Sequence, residues 1–322
     1  MDDPCRVNPM LTVVAAGQGG VFSRAQALAC GYTPQGIRDR VRAGRWERVR
    51  YGQYAEALDL SRLAPWDREL TRHRRSAYAV MNAMRPGAVA VSHQSSLVLH
   101  GLGLWGLDLS EVHLSRLDER RHSGPVAGLR YHRGRLSPDD LTEIGGLTVT
   151  ALPRAVVETA CTTSFEAAVV VADTAMRDHG MEAHEVHRLL RLTEFWPGSA
   201  TARAAMRFAD SQAESVGESR LRVLMHNHGL PAPELQVVYR DRNGIIGRVD
   251  FAFPEYDTVV EFDGMMKYRG AVGDVLIREK HREDRLRAIG LAVVRTTWAD
   301  LDRPAQTAAR IQATFARSRR TA

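Results

Sequence analysis

Four carboxylates in the last third of the chain have the types and spacing for phosphodiester chemistry. Asp250, Glu261 and Asp263 lie in GRVDFAFPEYDTVVEFDG, and Glu218 lies upstream in ESRLRVLMHNHGLP. Adjacent antiparallel strands can bring Asp250 and Glu261 together beside Phe251, Val259, Val260 and Phe262, and the strand period of two puts Glu261 and Asp263 on one face. Like charges held among apolar neighbours repel, and the usual relief is a bound divalent cation or a shared proton. Oxygen donors of this kind suit Mg²⁺, with Mn²⁺ as a substitute, and Mg²⁺ keeps waters while engaging a phosphate. Such an ion polarises the scissile phosphate, lowers the pKa of an attacking water and stabilises the leaving oxygen. Glu218 can join as a further ligand or hold a metal-bound water. Lys267 and Lys280, two lysines in a chain otherwise supplied with arginine, follow the acids closely, so they or the arginines of EKHREDR can offset charge at the phosphate. The opposing reading makes Asp250 and Glu261 turn caps or solvated acids and EKHREDR a helical face of paired ions.

These acids need a frame. SVGESRLRVLMHNHGLP reads as a helix ended by Gly229 and Pro231. Three strands follow, LQVVYR, IIGRVDFAF and TVVEFDG, with turns at Asp241 to Gly244 and Pro254 to Asp257. A helix over IREKHREDRLRAIG and a buried strand LAVVRTTW complete an α/β sandwich.

A second candidate site lies near the N-terminus. Ser23 can cap a short helix that Gly31 ends, and Thr33 caps a second one with Pro34 at its first position and Ile37 and Val41 on one face. Gly44 closes that helix, and RWERVRYGQY around Gly52 reads as a hairpin. The result is a winged helix-turn-helix over 10–58. Six arginines between Arg38 and Arg50 face only Asp39 and Glu47, so Arg38, Arg42, Arg45, Arg48 and Arg50 can meet phosphates and reach base edges in a major groove. A solvated basic face on a docking module is the plainer alternative.

The middle segment, 61–210, mixes helices with short strands around EVHLS, GLRYHR and GLTVTAL. PWDRELTRHRRSAYAVMNAM is a helix stopped by Pro86-Gly87, and Ser92 caps the next, SHQSSLVLHGLGLWG. His93 and His100 are seven apart and can share a helical face, but spacing places no third ligand, so no metal site is read there.

Composition bounds the rest. At 322 residues the chain holds two or three domains, and a net charge of +6 with a pI near 9.5 permits nucleic-acid contact. Cys5, Cys30 and Cys161 are odd in number and widely spaced, which fits neither a disulfide framework nor a zinc site and points to a reducing cytoplasm. Stretches such as EAAVVVADTAM fall short of a membrane span.

Gly31, Thr33, Ile37, Gly44 and Gly52 to Tyr54 resemble the winged-helix domain that opens AbiEi-type antitoxins, and SHQSSLVLHGL resembles their continuation. ESRLRVLMHNHGLP, GRVDFAFPEYDTVVEFDG, REKHREDRLRAIG and VVRTTW resemble nuclease-like domains related to very-short-patch repair endonucleases, within the PD-(D/E)XK restriction-endonuclease-like superfamily. The second resemblance implies a restriction-endonuclease-like α/β/α domain over 211–322 in which Asp250 and Glu261 bind Mg²⁺ and Glu218 is the helix acid. Asp263 stands in an E-x-D-G form where the superfamily often has lysine, which leaves Lys267, Lys280 or Gln236 to fill that role. The whole then reads as a multidomain α+β and α/β, cytoplasmic, bacterial Mg²⁺-dependent DNA endonuclease, open to a homodimer and a defence-system partner. A non-catalytic DNA-binding transcriptional regulator or antitoxin is the rival, and RNA cleavage a third reading.

Overall fold

The computed structural model describes residues 8–117, 126–264 and 273–318. The chain divides into two compact units, Met1–Thr163 with Ala183–Ala200, and Ser164–Glu182 with Thr201–Ala322.

The first unit opens with α1 (Pro9–Ala16), β1 (Val21–Ser23), α2 (Arg24–Ala29), α3 (Pro34–Arg42), β2 (Trp46–Arg50) and β3 (Gln53–Glu56). The strands pair antiparallel in the order β1-β3-β2. This is a winged-helix arrangement, and its local signals are the expected ones. Ser23 and Gln26 close a reciprocal capping box on α2, and the Thr33 hydroxyl accepts the Gly36 amide N–H at the start of α3. Leu11, Phe22, Ala27, Ile37 and Trp46 form its core. The helix carrying Leu11 falls within the expected bounds of 10–58 apart from its first residue, but no helix was assigned there from the sequence. Asn8 starts it by accepting the Met10 amide N–H, with Pro9 at the first helical position.

The remainder of this unit runs through α4 (Pro65–Met81), β4 (Val89–Val91), α5 (His93–His100), β5 (Val112–Arg116), β6 (Leu129–His132), β7 (Leu141–Ile144), β8 (Leu147–Thr150) and α6 (Leu152–Ala160). The sheet order is β6-β5-β4-β8-β7, with β5–β6 and β4–β8 parallel. Tyr78 and Val80 of α4 pack on Val91, Val112, Leu114 and Val149 of the sheet. α5 is shorter than expected: Gly101 takes a left-handed φ of +85° and ends it before GLWG.

After α7 (Phe165–His179), which belongs to the second unit, α8 (Ala183–Leu192) returns to the first. The second unit continues with α9 (Ser199–Phe208), α10 (Val216–Asn227), β9 (Glu234–Asp241), β10 (Gly244–Phe253), β11 (Thr258–Phe262), α11 (Gly273–Ala288), β12 (Ala292–Thr296), α12 (Trp298–Leu301) and α13 (Pro304–Ser318). Its sheet order is β12-β11-β10-β9: an antiparallel meander, then a crossover through α11 to a parallel β12. Leu221 and Met225 of α10 and Ile311 and Phe315 of α13 cover one face with Phe251, Val260 and Phe262, while Leu286 of α11 packs with Val249, Ala252 and Val259. Helices therefore flank the sheet on both sides. Among the described residues no helix is long and apolar enough to cross a membrane.

Candidate functional site

In the winged helix, Arg38 and Arg42 project from α3, Arg45 follows it, and Arg48 and Arg50 lie on β2. Arg38, Arg42, Arg45 and Arg48 are exposed and Arg50 is half-buried. The acids among them are occupied: Glu47 pairs with Arg75, and Asp39 accepts from Gln35 and lies 3.6 Å from Arg42. Arg40 is different from its neighbours. Its guanidinium lies 4.6 Å from the Tyr32 ring centroid and 5.6 Å from that of Trp46, so it braces the core. Tyr51, at the tip of the wing, is 93% exposed. Its position beside Gly52 in the hairpin is the sequence signal for that exposure.

In the second unit, Glu218 lies in the first turn of α10. Gly217 beside it lets the helix approach the sheet, since a Cβ there would sit 2.0 Å from the Phe262 ring. The Glu218 carboxylate accepts from the Glu214 amide at 2.9 Å, the Ser215 hydroxyl at 2.8 Å and the Gln236 side-chain amide at 3.0 Å. Ser215 in turn accepts the Glu218 amide N–H, so SVGE also caps its helix. Burial, and then the Asp250 carboxylate nearby, hold the Glu218 carboxyl above its ordinary value. Asp250 accepts the Phe262 amide at 2.7 Å across the β10–β11 pair. Gln236 takes a left-handed φ of +55° in β9, between the register pairs Val237↔Val249 and Leu235↔Phe251, and so stands opposite Asp250.

Glu261 is also buried. Burial raises its carboxyl pKa, Arg282 and Arg295 pull it down, Asp250 adds to the rise, and the net direction is upward. The expectation for these acids is a cation or a shared proton; the neutralising groups present are guanidinium ions. Arg282 holds Glu261, helped by Gly247, where a Cβ would lie 2.9 Å from the Arg282 chain. Arg295 of β12 bridges Asp263 at 3.1 Å, Glu283 at 3.1 Å and Glu279 at 3.6 Å. Asp263 is thereby drawn to β12. Lys280 is exposed and stands about 200° around α11 from Arg282, away from Glu261. Lys267 lies outside the described residues. The structure thus gathers Glu218, Asp250, Glu261 and Gln236 into one neighbourhood and adds Arg282 and Arg295.

A third cluster escapes the sequence spacing. His93, His113 and His132 each offer a ring nitrogen within 4.8 Å of the others, and among the described residues this is the one group of three or more His, Cys, Asp or Glu so placed. The cluster is capable of coordinating a metal ion. His93 begins α5, His113 lies on β5 and His132 on β6; parallel pairing sets His132 opposite Ser115, diagonal to His113 on the same face. The His93 and His132 rings stack at 3.5 Å, and His113 Nδ1 lies 3.0 Å from His132 Nε2. Burial pushes His113 down to about 3 and His132 to about 4, with repulsion from neighbouring cations, and it drives His93 well below its ordinary value, so all three are neutral at pH 7. No metal site was read at His93 and His100 from their spacing; His100 is not in the cluster and meets the Thr150 carbonyl at 3.0 Å.

Residues 11–57 match the family described as "Transcriptional regulator, AbiEi antitoxin". The chain is also 31% identical over 218 residues to "Uncharacterized protein Rv2248" of Mycobacterium tuberculosis H37Rv, an alignment covering 67% of this chain and 79% of that one. "Uncharacterized protein MT2308" of strain CDC 1551 matches to the same extent. The chain belongs to the family of these mycobacterial proteins. Its N-terminal domain is AbiEi-like, and the alignment, at 218 residues, is much longer than the 47 positions from 11 to 57, so the family likeness reaches beyond the winged helix.

Proposed function

We propose that this protein is a DNA-binding transcriptional regulator of the AbiEi-antitoxin kind, acting in the cytoplasm through its winged helix. The observation that carries this reading is the exposed set Arg38, Arg42, Arg45 and Arg48 on α3 and the wing, continued by Tyr51 at the tip. α3 enters the major groove and presents its arginines to phosphates and base edges, while the wing lies along the backbone. A second copy of the chain on an inverted repeat would give two half-sites, and a toxin-like protein of a defence system is the partner class. Selection of duplex fragments from random DNA by the full chain, followed by anisotropy titrations on the enriched sequence, tests it. Enrichment of a motif supports the regulator, and uniform weak binding overturns it.

A second reading is favoured by the neighbourhood of Glu218, Asp250 and Glu261: a Mg²⁺-dependent endonuclease on a restriction-endonuclease-like domain over 211–322, following a winged helix over 10–58 and a middle domain over 61–210. Asp250, Glu261 and Glu218 would hold Mg²⁺ or Mn²⁺, with Gln236 fixing Glu218 and Arg282 yielding Glu261 to the ion. Asp263, Lys267 and Lys280 are the remaining residues assigned to this chemistry. Incubating supercoiled plasmid, linear duplex, mismatched duplex and RNA with the protein and either ion, beside Asp250→Ala, separates the readings. Ion-dependent products that vanish in the variant establish the nuclease and its nucleic acid. Binding without cleavage leaves the regulator.

A further inference from the structure

The histidine cluster lies in the first unit, and neither DNA contact nor phosphodiester chemistry uses it. Its surroundings carry two unexplained features: Glu158 Oε2 and Gln94 Oε1 are buried acceptors without a hydrogen-bond donor. A buried acceptor left without a donor is destabilising. Both stand directly behind the histidines. Glu158, 1% exposed, gives its other oxygen to Arg154 Nε at 2.7 Å and leaves Oε2 at 3.5 Å from His93 Nδ1, which also meets the Ser92 hydroxyl at 3.1 Å. Gln94 turns its NH₂ to His113 Nε2 at 2.8 Å and to the Asp108 carbonyl at 3.2 Å. His93 itself holds a left-handed φ of +52°, strain that a non-glycine residue tolerates when its side chain is needed in one place.

The proton positions follow. Gln94 N–H donates to His113 Nε2, so the proton of neutral His113 sits on Nδ1 and is donated to His132 Nε2. A metal ligand must instead offer a bare nitrogen and donate its outer N–H to a carboxylate, carbonyl or water. Gln94 Oε1 is such an acceptor for His113, and for His93 Nδ1 the orphaned Glu158 Oε2 stands beside the Ser92 hydroxyl oxygen.

We propose that His93, His113 and His132 form a site for a divalent first-row transition ion of the zinc class, with Glu158 and Gln94 receiving the outer N–H groups of His93 and His113. His113 ligates through Nδ1, His132 through Nε2 and His93 through the nitrogen remote from Glu158. Binding shifts the His113 proton to Nε2, and a half-turn of the Gln94 amide brings Oε1 round to accept it at the loss of the Gln94 hydrogen bond to the Asp108 carbonyl. The 3.0 Å gap between the facing nitrogens opens to about 3.3 Å, the separation of tetrahedral ligands at the ~2.0–2.1 Å of zinc–imidazole bonds. Imidazole donors select zinc, cobalt, nickel or copper over Mg²⁺. Three protein ligands leave a fourth position for water or an anion beside His132, the least buried of the three.

The test uses the full chain, stripped with chelator and titrated with Co²⁺ and Zn²⁺. One equivalent per chain is expected, with the visible absorption of tetrahedral cobalt. His132→Ala is expected to lose that spectrum with folding unchanged by circular dichroism. Gln94→Leu, which leaves the ligands in place, should weaken binding by about 10–100-fold. His187→Ala, which breaks the exposed His184/His187 pair on α8, should change nothing. X-ray absorption of the zinc-loaded wild type reads the ligands without any substitution, and a shell with three imidazoles is expected. An all-oxygen shell, no stoichiometric uptake, or an equivalent that His187→Ala removes and His132→Ala keeps would each overturn the site.

Discussion

Arg282 grips Glu261 with two parallel hydrogen bonds, Nη1 to Oε1 at 2.7 Å and Nη2 to Oε2 at 3.0 Å. A guanidinium in that position and a divalent ion compete for the same oxygens. Removing one partner of a buried pair costs about 3–5 kcal/mol, and Arg295, 3.7 Å from the same carboxylate, keeps the loss toward the lower end or below it. Arg282→Ala is therefore expected to lower the melting temperature in EDTA, and Mg²⁺ or Mn²⁺ should then raise it more than in the wild type. Equal shifts in both proteins would take Glu261 out of any ion-ligand set.

On DNA, charge and shape separate by salt dependence. Each arginine that neutralises a phosphate contributes about 0.9 to the slope of log affinity against log salt. Arg42→Ala with Arg48→Ala is expected to weaken binding on every sequence and to flatten that slope by about 2. Tyr51→Ala should weaken binding at constant slope, because the ring carries no charge. Arg40→Ala acts elsewhere: it loses cation–π contacts worth about 0.5–2 kcal/mol and lowers the stability of the winged helix. A slope unchanged by the double substitution would move the phosphate contacts off this face.

Sequence reading worked where the determining signal is local. Thr33-Pro34, Gly44 and Gly52 mark the second helix and the wing because caps and turns depend on a few adjacent residues, and the β9 to β11 meander is legible from its turns for the same reason. α1 carries equally local marks in Asn8 and Pro9, and although the expected bounds of 10–58 take in most of it, the sequence reading assigns no helix before Ser23. The histidine cluster was hidden for a different cause. His113 and His132 meet only because β5 and β6 pair in parallel, and that register is not fixed by their spacing; helical spacing instead coupled His93 to His100, which faces Thr150. Arg282 and Arg295 are 21 and 34 residues from Glu261 along the chain, so their grip on it depended on the crossover through α11.

Asp173 of α7 ties the helices of the second unit together. It is fully buried and accepts from Arg222 Nη2 at 2.8 and 2.9 Å, the Ser219 hydroxyl at 2.7 Å and the Asp210 amide at 2.8 Å. Asp173→Ala strands the buried Arg222 and is expected to cost about 3–5 kcal/mol. Asp173→Leu with Arg222→Met removes both charges and should recover much of that loss. Hydrogen exchange over α7 and α10 reads the change in this unit directly; protection as high in Asp173→Ala as in the wild type would mean that apolar packing alone holds α7.

His73 of α4 links stability to pH. Its Nδ1 meets the Leu109 carbonyl at 2.8 Å and its Nε2 the Ser95 hydroxyl at 2.8 Å, while the same Ser95 oxygen accepts the His113 amide. Nδ1–H donates and Nε2 accepts from the Ser95 hydroxyl, so the neutral ring fits, and a second ring proton would have to turn that hydroxyl proton away. Burial holds its pKa below the ordinary 6.5, and the Leu109 hydrogen bond and nearby Asp108 only partly oppose that. Below 6.5 the unfolded chain takes the proton first, so the unfolded state binds more protons and stability falls with pH. The contribution is complete above about pH 6.5 and declines as the pH drops toward the folded value. The melting temperature at pH 5.5 is expected to lie below that at pH 7.5, and His73→Gln should narrow the gap, leaving the part carried by the other depressed histidines, which have the same sign. An unchanged gap in His73→Gln would show that this ring titrates alike in both states, and that its two hydrogen bonds are not selective for the neutral form.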